Sequence, residues 1–142
     1  MIFNQDRNQL REFYFQSWYK LKQQQVMEPM ESIVATLISQ HPEYHEFFDN
    51  KEQNQDRDFT PEMGQSNPFL HLGMHISIQE QLATQRPAEL STLYQSLCKK
   101  LEDAHEAEHK MMECLGEMLW TAQKNNQQPD EITYIKCVKK LL

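Results

Sequence analysis

Glycine is scarce in this chain, three residues in 142, and no two glycines are neighbours. That alone excludes the Walker loop, the G-x-S-x-G nucleophile elbow and the G-x-G-x-x-G dinucleotide turn, because each needs several glycines at fixed offsets. Clean two-residue alternation of apolar and polar side chains over a strand's length is also missing, so no sheet is expected. Cysteine is limited to Cys98, Cys114 and Cys137, an odd number without a CxxC spacing. Neither a disulfide framework nor a cysteine-only zinc site follows from it, and reduced structural thiols are the expectation. An excess of positive charge is absent as well: 14 basic residues face 21 acidic ones, for a formal charge of -7. Such a chain has no electrostatic basis for holding a phosphate backbone, and nucleic acid is excluded as the expected partner. No stretch reaches the roughly 18 apolar residues of a membrane span. Asp6, Arg7 and Glu12 interrupt the region where a secretory signal would need an apolar run. A cytoplasmic location without a membrane partner is expected.

What remains is a helix-forming composition, 39% hydrophobic and 25% charged, at a length that suits one domain over residues 1–142. Apolar residues recur at three- and four-residue intervals, and the expected fold is an all-α, single-domain bundle of about five to six helices. The first covers about residues 5–25, with Leu10, Phe13, Tyr14, Trp18 and Leu21 on one stripe and Phe15 and Tyr19 on another side. A second starts near Pro29 and is broken at His41-Pro42, since proline disfavours helical geometry at the residue before it. Residues 49–66 are polar, contain Pro61 and Gly64, and read as the main loop. Asn67-Pro68 opens a helix that ends before Arg86-Pro87, a shorter one covers about 88–101, Asp103 caps the next to about 124, and Pro129-Asp130-Glu131 starts the last.

The informative feature is the spacing of the six histidines: His41 and His45, His71 and His75, His105 and His109. Random placement would give roughly 0.2 pairs at a four-residue interval, yet all six fall into three such pairs. On a helix this interval stacks two imidazoles on one face about one turn apart, which suits two ligands of one metal or one ligand to each of two adjacent metals. Three such helices facing one another would bring six nitrogens to one interior site. His71 and His75 share an arc with Met74, Ile78 and Leu82, so that pair is expected on a buried face. There the alternative is a core histidine bonded to a backbone or side-chain group.

Carboxylates balance the charge that neutral imidazoles leave on a metal ion. At about 100° per residue, Glu113 lies about 80° from His105 and about 40° from His109, and it is the first candidate; Glu31, which interrupts an apolar stretch, is the second. A rival motif is literal: His105-Glu106-Ala107-Glu108-His109 matches H-E-x-x-H, with Glu106 as the general base of a zinc hydrolase. A rival from another class is a non-catalytic helical interaction protein whose histidines are core or pH-responsive groups.

The segments HPEYH at 41–45, NPFLHLGMHISIQEQ at 67–81, Arg86-Pro87 and HEAEHKMMECLGEMLW at 105–120 resemble the bacterial family called domain of unknown function 1841, and the opening MIFNQDRNQLREFYFQSWYK is similar to that family's start. The resemblance implies a small bacterial cytosolic protein and supplies no activity. A second likeness, to hemerythrin-like di-metal helical bundles, rests on architecture and on the H-x-x-x-E element formed by His109 and Glu113. The expectation is therefore a dinuclear transition-metal centre, iron first and manganese or zinc next. Its candidate ligands are His41, His45, His71, His75, His105, His109, Glu31 and Glu113. A small molecule or dioxygen is the expected exogenous partner, and homo-oligomerisation is compatible with the chain.

Overall fold

Helix signals along the chain become eight α-helices and one 3-10 turn among the described residues of the computed structural model, which describes residues 2–59 and 67–142, with side chains from residue 7 onward. These are α1 (Ile2–Lys22), α2 (Pro29–Ser39), the 3-10 turn Pro42–Tyr44, α3 (His45–Asp49), α4 (Lys51–Asn54), α5 (Pro68–Thr84), α6 (Ala88–Leu101), α7 (Ala104–Lys124) and α8 (Glu131–Lys140). The expected count of five to six is corrected upward. Residues 51–54 of the polar segment close a short helix of their own, and the stretch after Pro42 splits into a 3-10 turn and α3. Residues 60–66, including Pro61 and Gly64 of the expected loop, lie outside the described residues.

The helix starts follow local chemistry. Asn67 Oδ1 accepts from the backbone N–H groups of Phe69 and Leu70 at 3.0 and 3.3 Å, satisfying donors that the first turn of α5 leaves open. Asp103 Oδ1 does the same for His105 and Glu106 at 3.0 and 3.2 Å, and Asp130 Oδ1 for Ile132 and Thr133 at 3.1 and 3.3 Å. Proline occupies the first turn of α2. The break at His41 follows from Pro42, and His41 itself has left helical geometry at φ -122°, ψ 76°.

The chain divides into two compact units, Met1–Gly73 and Met74–Leu142. In the first, Tyr14, Phe15 and Trp18 of α1 are buried, and Phe15 meets Phe48 with ring centroids 5.2 Å apart, while Phe48 meets Phe69 at 5.7 Å. Trp18 Nε1 donates to Asp49 Oδ1 at 2.8 Å, so its polar edge is satisfied inside the cluster. The expected packing of α1 on more than one side holds for Tyr14, Phe15 and Trp18, and is corrected at Leu10 and Tyr19, which are exposed because α1 turns the arc of Tyr14, Phe15 and Trp18 inward. In the second unit, Ile78, Leu90, Leu97, Met111, Leu115, Tyr134 and Val138 form one apolar cluster.

Two cysteines depart from expectation. Cys114 on α7 and Cys137 on α8 are joined by a disulfide, with Cα atoms 5.7 Å apart. That separation suits a bridge, and it arises from the packing of α7 against α8, which brings together two cysteines 23 residues apart in sequence and which spacing alone does not encode. Cys98 is a free thiol. Among the described residues, no helix is long and apolar enough to cross a membrane.

Candidate metal centre

Helix α7 places His105 and His109 one turn apart, as the four-residue spacing dictates, and their ring centroids are 4.3 Å apart. His75, from the part of α5 in the same unit, is fully buried and lies parallel to His105 at 5.0 Å and edge-on to His109 at 4.7 Å. Each of the three offers a ring nitrogen, and these atoms lie within 4.8 Å of one another. Donors sharing one ion at about 2.0–2.2 Å sit about 3 Å apart, a closure within reach of side-chain torsions.

The decisive neighbour is Glu108. Its Oε1 accepts from His75 Nδ1 at 2.8 Å and from Gln79 Nε2 at 3.2 Å, and the carboxylate is itself buried. A carboxylate that receives the Nδ1–H fixes the tautomer: the lone pair of His75 resides on Nε2, the nitrogen suited to ligation. Carboxylate–histidine pairs of this kind orient metal ligands and raise their basicity.

In the first unit, His41 is buried and its Nδ1 lies 2.7 Å from the carbonyl oxygen of Leu37. A carbonyl only accepts, so Nδ1 carries the proton and the lone pair resides on Nε2. That Nε2 is 3.2 Å from Nε2 of His71, with the Tyr44 ring stacked on His41 at 5.4 Å. Burial, joined by the charge of Glu43, pushes the Tyr44 hydroxyl above its ordinary pKa. With the lone pair on His41 Nε2, His71 Nε2 donates in this contact; replacement of that proton by a bound ion would make the two nitrogens neighbouring ligands.

The remaining candidates have surroundings of their own. His45 lies against Trp18 at 4.7 Å and its Nε2 donates to the Ile38 carbonyl oxygen at 2.9 Å. Glu31 receives Lys20 Nζ at 2.8 Å on Oε2, and its Oε1 accepts from the Glu28 N–H at 2.8 Å at the start of α2. These contacts, Lys20 first, hold its carboxyl below the usual range. Glu113 is exposed on α7, and Glu106 is exposed in that helix's first turn. Sequence reasoning passed over Glu108, although the signal was available. At about 100° per residue, Glu108 lies within about 20° of Leu115 and about 40° of Met112 on the apolar arc of α7, whereas Glu113 is about 140° away from Glu108.

Comparison with known proteins adds a family and no activity. No curated protein and no solved structure matches the chain. The family model for domain of unknown function 1841 matches residues 6–140, covering His41, His71, His75, His105, Glu108 and His109. The chain therefore belongs to the DUF1841 family, as its histidine-bearing motifs imply.

Proposed function

We propose that the protein binds a transition-metal ion through His75, His105 and His109, with Glu108 as the positioning residue behind His75. The observation that carries this reading is the convergence of three imidazoles whose buried member has its tautomer set by a buried carboxylate. A satisfied core histidine needs one partner; this arrangement supplies an orienting partner on one nitrogen and two further imidazoles beside the ring. The donor set is nitrogen-rich and thiolate-free, which suits iron, manganese or zinc, and iron remains the first assignment. In the dinuclear form of the proposal, His41 and His71 hold a second ion, and the expected metal-to-chain ratio is two.

Three protein ligands leave coordination positions for water, dioxygen or a small molecule, and an ion there lowers the pKa of bound water. The chain's own contribution is to hold His75 rigidly in a dry environment and to set its proton on Nδ1. Elemental analysis of protein purified without a histidine tag tests the proposal. About one equivalent or more of a first-row metal, retained or restored on reconstitution, is expected; less than about a tenth of an equivalent of any such metal, unrecoverable on reconstitution, overturns it.

A second reading is favoured by one observation: the H-E-x-x-H pair of α7 gains a third imidazole from His75, the ligand a hydrolytic zinc site requires. In that reading Glu106 is the general base, and Glu106→Gln abolishes peptide or ester hydrolysis while leaving metal content intact. Hydrolysis unaffected by that substitution removes Glu106 from the role.

A further inference from the structure

A disulfide that only staples two helices is ordinarily sealed between them. The Cys114–Cys137 bond instead lines a cavity of about 370 Å³, whose wall also includes Glu117, Gln127, Asp130, Tyr134, Lys136 and Lys140. That volume lies in the range of small-molecule sites. The two cysteines are unequal: Cys114 is buried at 2% exposure, while Cys137 is partly exposed. Thiol–disulfide exchange requires a thiolate to reach one sulfur in line with the bond that breaks, so access selects the atom attacked.

We propose that Cys114–Cys137 is an exchange-active disulfide whose substrate is a small thiol carrying carboxylate groups. The thiolate sulfur bonds to Cys137 Sγ, the Cys114–Cys137 bond breaks, and its electron pair leaves on Cys114 Sγ, which takes a proton from solvent. A second thiolate attacks the substrate sulfur of the mixed disulfide and releases Cys137 as a thiolate, which is then protonated. Two substrate thiols are oxidised to one disulfide and the protein bridge is reduced to two thiols, so atoms and electrons balance without another reagent. The wall carries two cations, Lys136 and Lys140, and two carboxylates, Glu117 and Asp130. The cations share α8 with Cys137, the sulfur attacked, and supply the positive charge beside it, whereas Glu117 shares α7 with Cys114 and Asp130 is engaged by Ile132 and Thr133 at the start of α8. The proposal is independent of the metal reading, because every group it uses lies on α7, α8 and the segment between them.

The test uses the full chain carrying Cys98→Ser, so that any thiol or adduct belongs to the pair. Reduced glutathione serves as the anionic probe and 2-mercaptoethanol as the neutral one, with products read by intact-mass spectrometry after acid quench. Folded protein is expected to gain two thiols with glutathione, and oxidised glutathione is expected to restore the bridge. Lys136→Gln with Lys140→Gln should slow the glutathione reaction roughly tenfold while leaving the 2-mercaptoethanol rate within about twofold, since charge steering acts on the anion alone. With oxidised glutathione, Cys114→Ser should trap one glutathione on Cys137 as a mixed disulfide with release of one reduced glutathione, and Cys137→Ser should leave Cys114 unmodified. A bridge that yields to glutathione only after denaturation, or that fails to form in either redox buffer, overturns the proposal. So does charge removal that slows both thiols equally. The wild-type kinetics stand even if a cysteine variant fails to fold.

Discussion

Replacing Glu108 with glutamine keeps the shape of the side chain and removes its charge at the one place where the histidine cluster is held from behind. In the native chain, Glu108 Oε1 takes the His75 Nδ1–H at 2.8 Å inside a buried environment, with Gln79 as a second donor at 3.2 Å. Glutamine offers a weaker acceptor, and its amide group adds donors beside Gln79 and His75, so the orientation of the His75 ring loosens. Loss of such a partner weakens metal affinity about 10- to 100-fold, or about 1.4–2.7 kcal/mol. The consequence for stability follows by linkage. At free metal about 100 times the wild-type dissociation constant, binding stabilises the fold by about 2.7 kcal/mol. The same metal concentration is then only about 10 to 1 times the variant's constant, leaving about 1.4 to 0.4 kcal/mol. For a chain of this length, 1 kcal/mol moves the melting temperature by about 2–4 °C. The metal-induced rise is thus expected to fall from about 5–11 °C to about 1–6 °C. Competition with a chelator of known affinity gives the constants, and thermal unfolding with and without metal gives the shifts. Glu113→Gln, on the exposed face of the same helix, is the control and should change neither. Wild-type affinity in Glu108→Gln, or an equal loss in both variants, would refute the reasoning.

Other perturbations reach other links of the account. His105→Ala and His109→Ala should each abolish tight metal binding with less cost to the metal-free fold, whereas His75→Ala should also destabilise it by about 2–4 kcal/mol, because the buried Glu108 loses its imidazole partner; equal destabilisation by all three in chemical denaturation would contradict this. The Glu31 carboxyl is held low by Lys20 and then by the Glu28 N–H. A depressed folded pKa gives stability that is complete above the ordinary carboxylate value and is lost as pH falls through the folded one. Acid unfolding should therefore contain a component below about pH 5 that shrinks in Lys20→Met, and identical acid profiles would remove Glu31 as its source. Reducing Cys114–Cys137 opens a loop with a sequence separation of 23 and should cost about 3 kcal/mol, read as a lower denaturation midpoint that Cys98→Ser alone does not reproduce.

Sequence revealed most where the physics is local. Asn67 and Asp103 are readable as helix caps, and Pro129-Asp130-Glu131 as a helix start, because these signals depend on residues a few positions away, and His41-Pro42 is readable as a break for the same reason. The pairing of His105 with His109 follows from helical pitch. Partners drawn from distant parts of the chain were beyond spacing: the addition of His75 to that pair and the approach of Cys137 to Cys114 both depend on how helices pack. Glu31 shows a local role that an apolar pattern hides. Its interruption of an apolar stretch suggested a ligand, whereas its carboxylate closes the start of α2 and meets Lys20. Glu108 shows the reverse, since its place on the apolar arc marked it as the buried acid and the attraction of Glu106 and Glu113 to familiar motifs obscured it.

The most direct measurement is an anomalous-diffraction map from crystals of the metal-loaded, untagged chain, collected at the absorption edge of the bound element. The account predicts a peak about 2.0–2.2 Å from ring nitrogens of His75, His105 and His109, with Glu108 still accepting from His75 Nδ1. A peak elsewhere in the chain, or loaded protein whose three imidazoles meet no metal, contradicts it.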